Sequence, residues 1–500
     1  MEIKVYQPRF EVTLYKTVKR QTVDGVMPTS ARFQGANAII NLAPWLSDTS
    51  SISTMKGIKE AAGGFAITIP DIPEVAGGLE SLYGIVEPMD LIQIKAQHMP
   101  SRWNENKLPV VMRGFVSRVS RHEGMGPDGR PARFVTIHGQ DYGKIWQIIQ
   151  IFYGPSYIFG EDILSAFKLM DKFGAGFKNA MTNVEFLQTA IEQIINPFLQ
   201  TLLPEGSGFP LIKLNADQVV TAAVGIAGIQ SAEGTIYQLM RNYLDVGPFN
   251  ELFLNEDDDG VYCMYRQNPA LDLTGAPLDP KVTASPSGSY MGSQDATRLN
   301  IFDVPMEDID TLDVERSDDG VANYYWVAAP AFSLNGDAVM RQMGFSSAER
   351  ESIDRSTYPN SASALYGVRM MMLNTTLGGP DVTNTKSGLT EMEHDARDQN
   401  LFDWMRSRRE FLVAQNKDNS ILERGSLRMR GNEKIRAGNY IRVIRGSFSA
   451  IYYVTSVAHN IMPYRGFYTT LTLDRGLGFA NRIRMGGGVD SPYLSELTGQ

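Results

Sequence analysis

Apolar residues recur along this chain at two spacings, every second residue in some stretches and every three to four in others, and the switch between them marks its elements. The clearest switch lies between Val110 and Ile149. Val110–His122 sets apolar residues between arginines and serines, as in a strand with neighbours on both faces. Gly126-Pro127-Asp128-Gly129 then predicts a turn, because Pro fixes φ at one position and Gly tolerates positive φ at another. Ala132–Gly139 leads back, with Val135 and Ile137 alternating with Phe134, Thr136 and His138. From Asp141 the period lengthens, and Tyr142, Ile145, Trp146 and Ile149 fall on one helical stripe.

Before this hairpin, Ile3–Tyr6, Phe10–Tyr15, Arg32–Leu42, Phe65–Ile69 and Asp90–Lys95 read as strands. Ser47–Met55 is rich in Ser and Thr and reads as an exposed loop, and Pro70–Pro88 as a long excursion. Residues 1–158 are therefore expected to form one antiparallel β unit, closed or nearly closed. Residues 159–249 read as a helical insertion. Glu161–Phe173 carries Ile163, Phe167 and Met170 on one stripe, and Val184–Leu203 carries Val184, Leu187, Ile191, Ile195, Phe198 and Leu202. Pro197 predicts a bend in the second helix. A third, Thr235–Asp245, ends at Gly247-Pro248. Without basic opposite faces these stripes suit a packed core rather than a membrane surface.

Strand patterning resumes at Leu252–Leu254 and Gly260–Tyr265, around the acidic run Glu256-Asp257-Asp258-Asp259. That run reads as a solvated hairpin turn, since an EF-hand would spread its carboxylates over about twelve residues. Pro269–Gln294 reads as a loop, and Arg298–Asp303, Asp310–Arg316 and Asn323–Val327 as strands. Residues 331–416 form an inserted segment with little periodicity outside Tyr366–Leu373 and a helix at Glu393–Gln415. That helix places Leu401, Trp404, Met405, Arg408, Phe411 and Leu412 near one face. Ser426–Met429, Tyr440–Ile444, Ile451–Val457 and Phe467–Leu473 then make a second β set, so residues 250–330 and 417–483 are expected to form a second barrel. Residues 484–500, with Gly486-Gly487-Gly488, read as an exposed arm.

A length of 500 residues exceeds one hydrophobic core and calls for about two to four domains. The net charge of −9 argues against a dedicated phosphate-neutralising surface. The single cysteine, Cys263, excludes an intrachain disulfide and suits a buried position in a chain folded under reducing conditions. The N-terminus lacks the order of a secretory signal. Val219–Ile229, interrupted by Gly225 and Gly228, is too short for a membrane span. His98, His122, His138, His394 and His459 stand at no metal-ligand spacing, Gly174-Ala175-Gly176 is too short for a phosphate loop, and no nucleophile elbow or dinucleotide fingerprint occurs. No catalytic residue, cofactor or metal is assigned, and an enzyme is not expected.

Three groups of residues carry a family resemblance. The first is Arg113-Gly114-Phe115-Val116-Ser117-Arg118-Val119-Ser120 with Phe134-Val135-Thr136-Ile137-His138-Gly139-Gln140-Asp141-Tyr142-Gly143-Lys144. The second is Gly438–Val443, Tyr452–His459 and Tyr468–Gly476, and the third is Ser317-Asp318 with Asn323–Val327. In this order they resemble the baseplate hub proteins of contractile phage tails, the family that includes the T4 hub and the late-control D proteins. The resemblance implies a mainly β (α+β) chain with helical insertions and two antiparallel β-barrel tube domains. It implies that three such chains form a pseudo-sixfold ring between a sixfold tail tube and a threefold central spike. It implies as partners a homotrimer, the tail tube protein, the central spike protein and baseplate wedge proteins, with DNA and the tape-measure protein passing through without specific binding. The place implied is the virion tail baseplate, after assembly in the host cytoplasm. The barrel-wall candidates are Arg113, Phe115, Ser117, Val119, Val135 and Ile137 in the first set and Ile441, Val443, Tyr453, Thr455, Thr469 and Leu471 in the second. Each wall strand is expected to turn one face to the barrel core and the other to the lumen or a neighbour. A second reading is a tail-borne peptidoglycan hydrolase using two unassigned carboxylates. A hub fused to its own spike is disfavoured, because little chain follows the second β set.

Overall fold

Period-two alternation is realised as hydrogen-bonded ladders. The computed structural model describes residues 8–16, 39–71, 81–99, 108–125, 129, 131–151, 182–204, 208–216, 219–224, 234–276, 278, 301–328, 358–378, 390–445 and 448–480. The first β region holds β1 (Arg9–Tyr15), β2 (Ile39–Asn41), β3 (Ser51–Gly57), β4 (Gly64–Pro70), β5 (Leu91–Gln97), β6 (Val110–Met125) and β7 (Pro131–Asp141). Short strands β8 (Gln150–Ile151), β9 (Ile212–Asn215) and β10 (Gly234–Thr235) accompany the helices, and β11 (Asn250–Glu256) and β12 (Val261–Gln267) form a hairpin. The second region holds β13 (Ile301–Pro305), β14 (Ile309–Glu315), β17 (Glu423–Arg430), β18 (Tyr440–Arg445), β19 (Phe448–Met462) and β20 (Gly466–Gly476). Between them come β15 (Tyr324–Ala328) and β16 (Met370–Asn374).

The two β regions share one sheet of 13 strands, ordered β14-β17-β20-β19-β3-β4-β7-β6-β5-β1-β2, with β13 and β18 branching from β19. Among the described residues neither region closes on itself, and they join edge to edge where β3 pairs with β19. The Ser47–Met55 stretch expected as a loop supplies that joining strand. Ile52, Thr54 and Gly57 of β3 are buried, and Thr is β-branched and suits a strand despite its polarity. Inward residues of the first region, among them Val12, Ile67, Ile92, Val116 and Ile137, make one core. Leu427, Ile441, Val443, Val457 and Leu471 belong to another.

The helical stripes pack as a third core rather than lying on the surface. Phe186, Leu187, Ile191, Ile195 and Leu199 bury against Trp146, Leu239, Leu252 and Cys263. Thr182 caps the helix Asn183–Ala190 in a reciprocal box with Glu185. The irregularity expected at Pro197 is a π-turn, Ile191–Ile195, followed by the helix Asn196–Leu202. Pro197 has no N–H to close a bond one turn back, and the widened turn just before it accommodates that loss. The long helix Glu391–Asn416 buries Trp404, Met405, Arg408, Phe411 and Leu412, and Trp404 Nε1 donates to Leu377 O at 3.1 Å. Among the described residues no helix is long and apolar enough to cross a membrane. The strand Ile3–Tyr6, the helix Glu161–Phe173, Gly174–Gly176, residues 331–357, the arm 484–500 and most of the 269–294 loop lie outside the described residues.

Candidate functional site

The seam between the β regions depends on the length of β19. Its first part, Phe448–Tyr453, pairs with β18, and its last part, Ser456–Ile461, pairs with Gly57–Ile52 of β3. A bulge at Thr455 separates the two parts, and the Ile58 N–H donates to Thr455 O at 3.0 Å. His459, buried in the seam, has Nδ1 3.0 Å from Thr469 Oγ1. Burial, assisted by the Arg436 charge, pushes its pKa down to about 3, so the ring is neutral. Beside it a cavity of about 20 Å³, lined by Thr54, Lys56, Asn255 and Arg436, has room for one water.

The β11–β12 hairpin clasps this seam from behind. β11 is buried on both faces: Leu252 and Leu254 enter the helical core, whereas Phe253 enters the core of the second β region. At one end Glu256 accepts the Arg113 N–H through both oxygens, at 3.1 and 3.0 Å, and lies 2.6 Å from Lys56 Nζ. Lys56 also reaches Asp141 at 3.2 Å, so β3, β6 and β7 of the first region all meet this carboxylate group. At the other end Glu251 accepts Arg266 Nε at 3.0 Å and the Tyr453 hydroxyl at 2.6 Å, and Arg266 donates to Gly438 O at 2.7 Å. One hairpin thus grips both β regions.

The electrostatics follow from burial. Desolvation pulls the Lys56 ammonium down, but Glu256 and Asp141 outweigh it and the net shift is upward. Burial raises the Asp141 carboxyl, with Lys56 opposing, and raises the Tyr453 phenol and the Cys263 thiol. The acidic tip expected as a solvated turn needs correction at its first residue. Asp257–Asp259 are exposed, and Asp257 Oδ1 accepts the N–H groups of Asp259 and Gly260, as a turn requires. Glu256 is 2 % exposed, and Asp258 accepts the Val110 N–H at 2.7 Å. The tip docks on β6.

Of the wall candidates, Arg113, Phe115, Val135, Ile137, Ile441, Val443, Tyr453, Thr469 and Leu471 are buried, Val119 and Thr455 are half-buried, and Ser117 is exposed. Arg113 joins the clasp at Glu256 and Tyr453 joins it at Glu251, while Thr469 holds His459. Lys56 and Glu251 were not named from the sequence, and Asp141 and Glu256 were named only within a motif and an acidic turn, yet three of the four carried a signal of burial. Lys56 continues the inward phase of Ile52 and Thr54, Asp141 that of Val135 and Ile137, and Glu256 that of Leu252 and Leu254. A charge at the apolar phase of a strand calls for a buried partner. Among the described residues no group of three or more His, Cys, Asp or Glu could hold a metal ion. Asp141 and Glu256, 3 % and 2 % exposed, are closed to a polysaccharide, so this carboxylate pair lends the hydrolase reading nothing.

The two β regions repeat one plan. The path β3-β4-β7-β6-β5-β1 matches β14-β17-β20-β19-β18-β13, and the first four pairings of each are antiparallel. The bulge recurs as well: β6 shifts register against β7 between Val116 and Arg118, and β19 shifts against β20 between Val454 and Ser456. Each bulged residue, Ser117 or Thr455, bears a hydroxyl. The last pairing differs, since β1 runs antiparallel to β5 but β13 runs parallel to β18.

The chain is thus a mainly antiparallel β protein made of two like strand units, joined at one edge and clasped by a hairpin. No protein-family model matches it, and no curated protein sequence does either. Among solved structures it is similar to a tail protein from Neisseria meningitidis MC58, at 10% identity over 94% of this chain and 97% of that one, with a TM-score of 0.42. It is also similar to the 43 kDa tail protein of prophage MuSo2 from Shewanella oneidensis, at 9% identity over 93% and 98%, TM-score 0.42. A third is the prophage tail protein gp18 from Listeria monocytogenes EGD-e, at 7% identity over 92% and 94%, TM-score 0.40.

Proposed function

We propose that this chain is a structural hub of a phage tail baseplate, a ring protein of the virion with no catalytic centre. The observation that carries the reading is the repeated strand plan together with where the hub-like motifs fall on it. Gly114–Val119 and Val135–Gly143 lie on and just after β6 and β7, while Tyr452–His459 and Tyr468–Gly476 lie on β19 and β20, the matching strands of the second unit. Two like units per chain give three chains six like units. That number lets one ring meet a sixfold tail tube on one side and a threefold spike on the other. The ring passes DNA and the tape-measure protein through its lumen, and the net charge of −9 keeps a wall from gripping phosphate. Wedge proteins bind its outside.

The test is the mass of the full-length protein in solution, alone and with a candidate spike protein from the same genome. Three chains per particle in either sample supports the hub, and a stable dimer in both sinks it.

A further inference from the structure

Resting on the ring reading, we infer that β14 of one copy pairs antiparallel with the Ser117–Met125 half of β6 of the next. Copies then join head to tail through the same kind of seam that β3 and β19 make within one chain. The repeated plan supplies the argument. In the second unit the half of β19 beyond its bulge is occupied by β3. The matching half of β6, beyond its bulge at Ser117, has β7 on one edge and, among the described residues, no strand on the other. The counterpart of β3 in the second unit is β14, an end strand of the sheet that, among the described residues, pairs with β17 alone. One seam is filled inside the chain, and its two halves stand open at opposite ends of the plan. A head-to-tail contact of this kind uses two different patches and closes into a ring when its rotation divides the circle.

The register follows by carrying each ladder across. Thr54 faces Phe65 on β4, and Val314 faces Gly425 on β17. Phe65 and Gly425 in turn face Gly139 and Leu473, the partners of Val116 and Val454. Val314 therefore stands where Thr54 stands, Asp313 where Ser53 does and Glu315 where Met55 does. Within the chain Ser53 faces Asn460 and Met55 faces Ala458. Counting from the bulges, Asn460 matches His122 and Ala458 matches Ser120. Asp313 is thus set opposite His122 of the second copy, and Glu315 opposite its Ser120 with Arg118 and His122 on the diagonals.

Charge agrees with this register. The exposed outward residues of β14 here are acidic, Asp313 and Glu315, and those of β6 are Arg118, Ser120 and His122. The acid of the β6 arm, Glu123, is already engaged by Arg121 at 2.5 Å and Arg133 at 3.5 Å, so it does not repel. Unpaired strand edges of this length invite a neighbour, and an edge of complementary charge selects which.

Cysteine pairs in the full-length chain test the pairing. In the β3–β19 seam Ile58 and Thr455 form a bonded pair, so Ser53/Asn460 and Met55/Ala458 are non-bonded pairs, whose close Cα atoms suit a disulfide. Asp313→Cys with His122→Cys, and separately Glu315→Cys with Ser120→Cys, should give covalent multimers up to three chains on a non-reducing gel. The four single variants should give none, and the native Cys263 is fully buried and silent. Particles that light scattering finds associated, yet in which neither pair cross-links, overturn this pairing and leave the ring reading standing. A fast-migrating internally bridged monomer overturns it too. Chains that stay single both alone and with the spike protein overturn both.

Discussion

Lys56 Nζ stands 2.6 Å from Glu256 Oε1 and 3.2 Å from Asp141 Oδ2, with the Glu256 and Asp141 side chains almost wholly buried. The contact ties the strand that joins the two β regions to the hairpin that clasps them. Lys56→Met should leave both carboxylates facing each other without their shared cation, a loss of about 3 kcal/mol by the usual cost of breaking a buried pair. Lys56→Met combined with Asp141→Asn should recover part of it, because it removes the repulsion between the two buried carboxylates while Glu256 keeps its bonds from the Arg113 N–H. Urea midpoints of the two variants check this, and equal losses would refute it.

Acid should loosen the same seam through His459. Its pKa is about 3 in the fold against 6.5 for an ordinary histidine, because burial and Arg436 disfavour the imidazolium. Between those values the unfolded chain binds a proton that the fold does not, so stability rises with pH. The contribution is complete above pH 6.5 and is lost as pH falls toward 3, on the order of a few kcal/mol. Denaturation midpoints taken from pH 7 to pH 4.5 should fall for the native chain, and less steeply for His459→Gln. Parallel slopes would show that another group carries the acid response.

Surface ion pairs of the second unit should matter far less. Arg428 and Asp310 lie 3.1 Å apart with both side chains 49% exposed, and Arg442 and Asp303 are as open at 3.5 Å. Arg428→Gln should change stability by about 0.5 kcal/mol or less, and salt should mask even that. A loss comparable to that of Lys56→Met would contradict the assignment of strength to the buried clasp.

How far the fold was legible depends on the range over which its signals act. The β6–β7 hairpin was legible because alternation and the turn residues between its strands are local, and parts of β19 and β20 were legible by alternation alone. Strand β3 was missed because Ser51, Ser53 and Thr54 imitate a loop, and only pairing on both edges makes it a strand. The parallel ladder of β13 with β18, Ile301 beside Tyr440, leaves no local trace at all. Nor does the joining of the two units, which depends on which edges meet. At the clasp, Arg113 and Tyr453 were named as wall residues for their alternation. Their partners Glu256 and Glu251 were passed over because acids near a turn resemble solvated ones.

Gly425 offers the sharpest separation of local from assembled structure. A Cβ there would overlap the Asp313 carbonyl and the Val314 Cα, both backbone atoms of β14 that no side-chain rotation can move aside. Gly425→Val should therefore lift β14 from β17 at a cost of about 1–3 kcal/mol, while β19 and β20 keep their own ladder. Hydrogen exchange would show this as faster exchange confined to β14 and the facing edge of β17. If β14 is the strand offered to a second copy, the same variant should also lose association while remaining folded. Fast exchange in β14 with unchanged particle mass would place the contact between copies elsewhere.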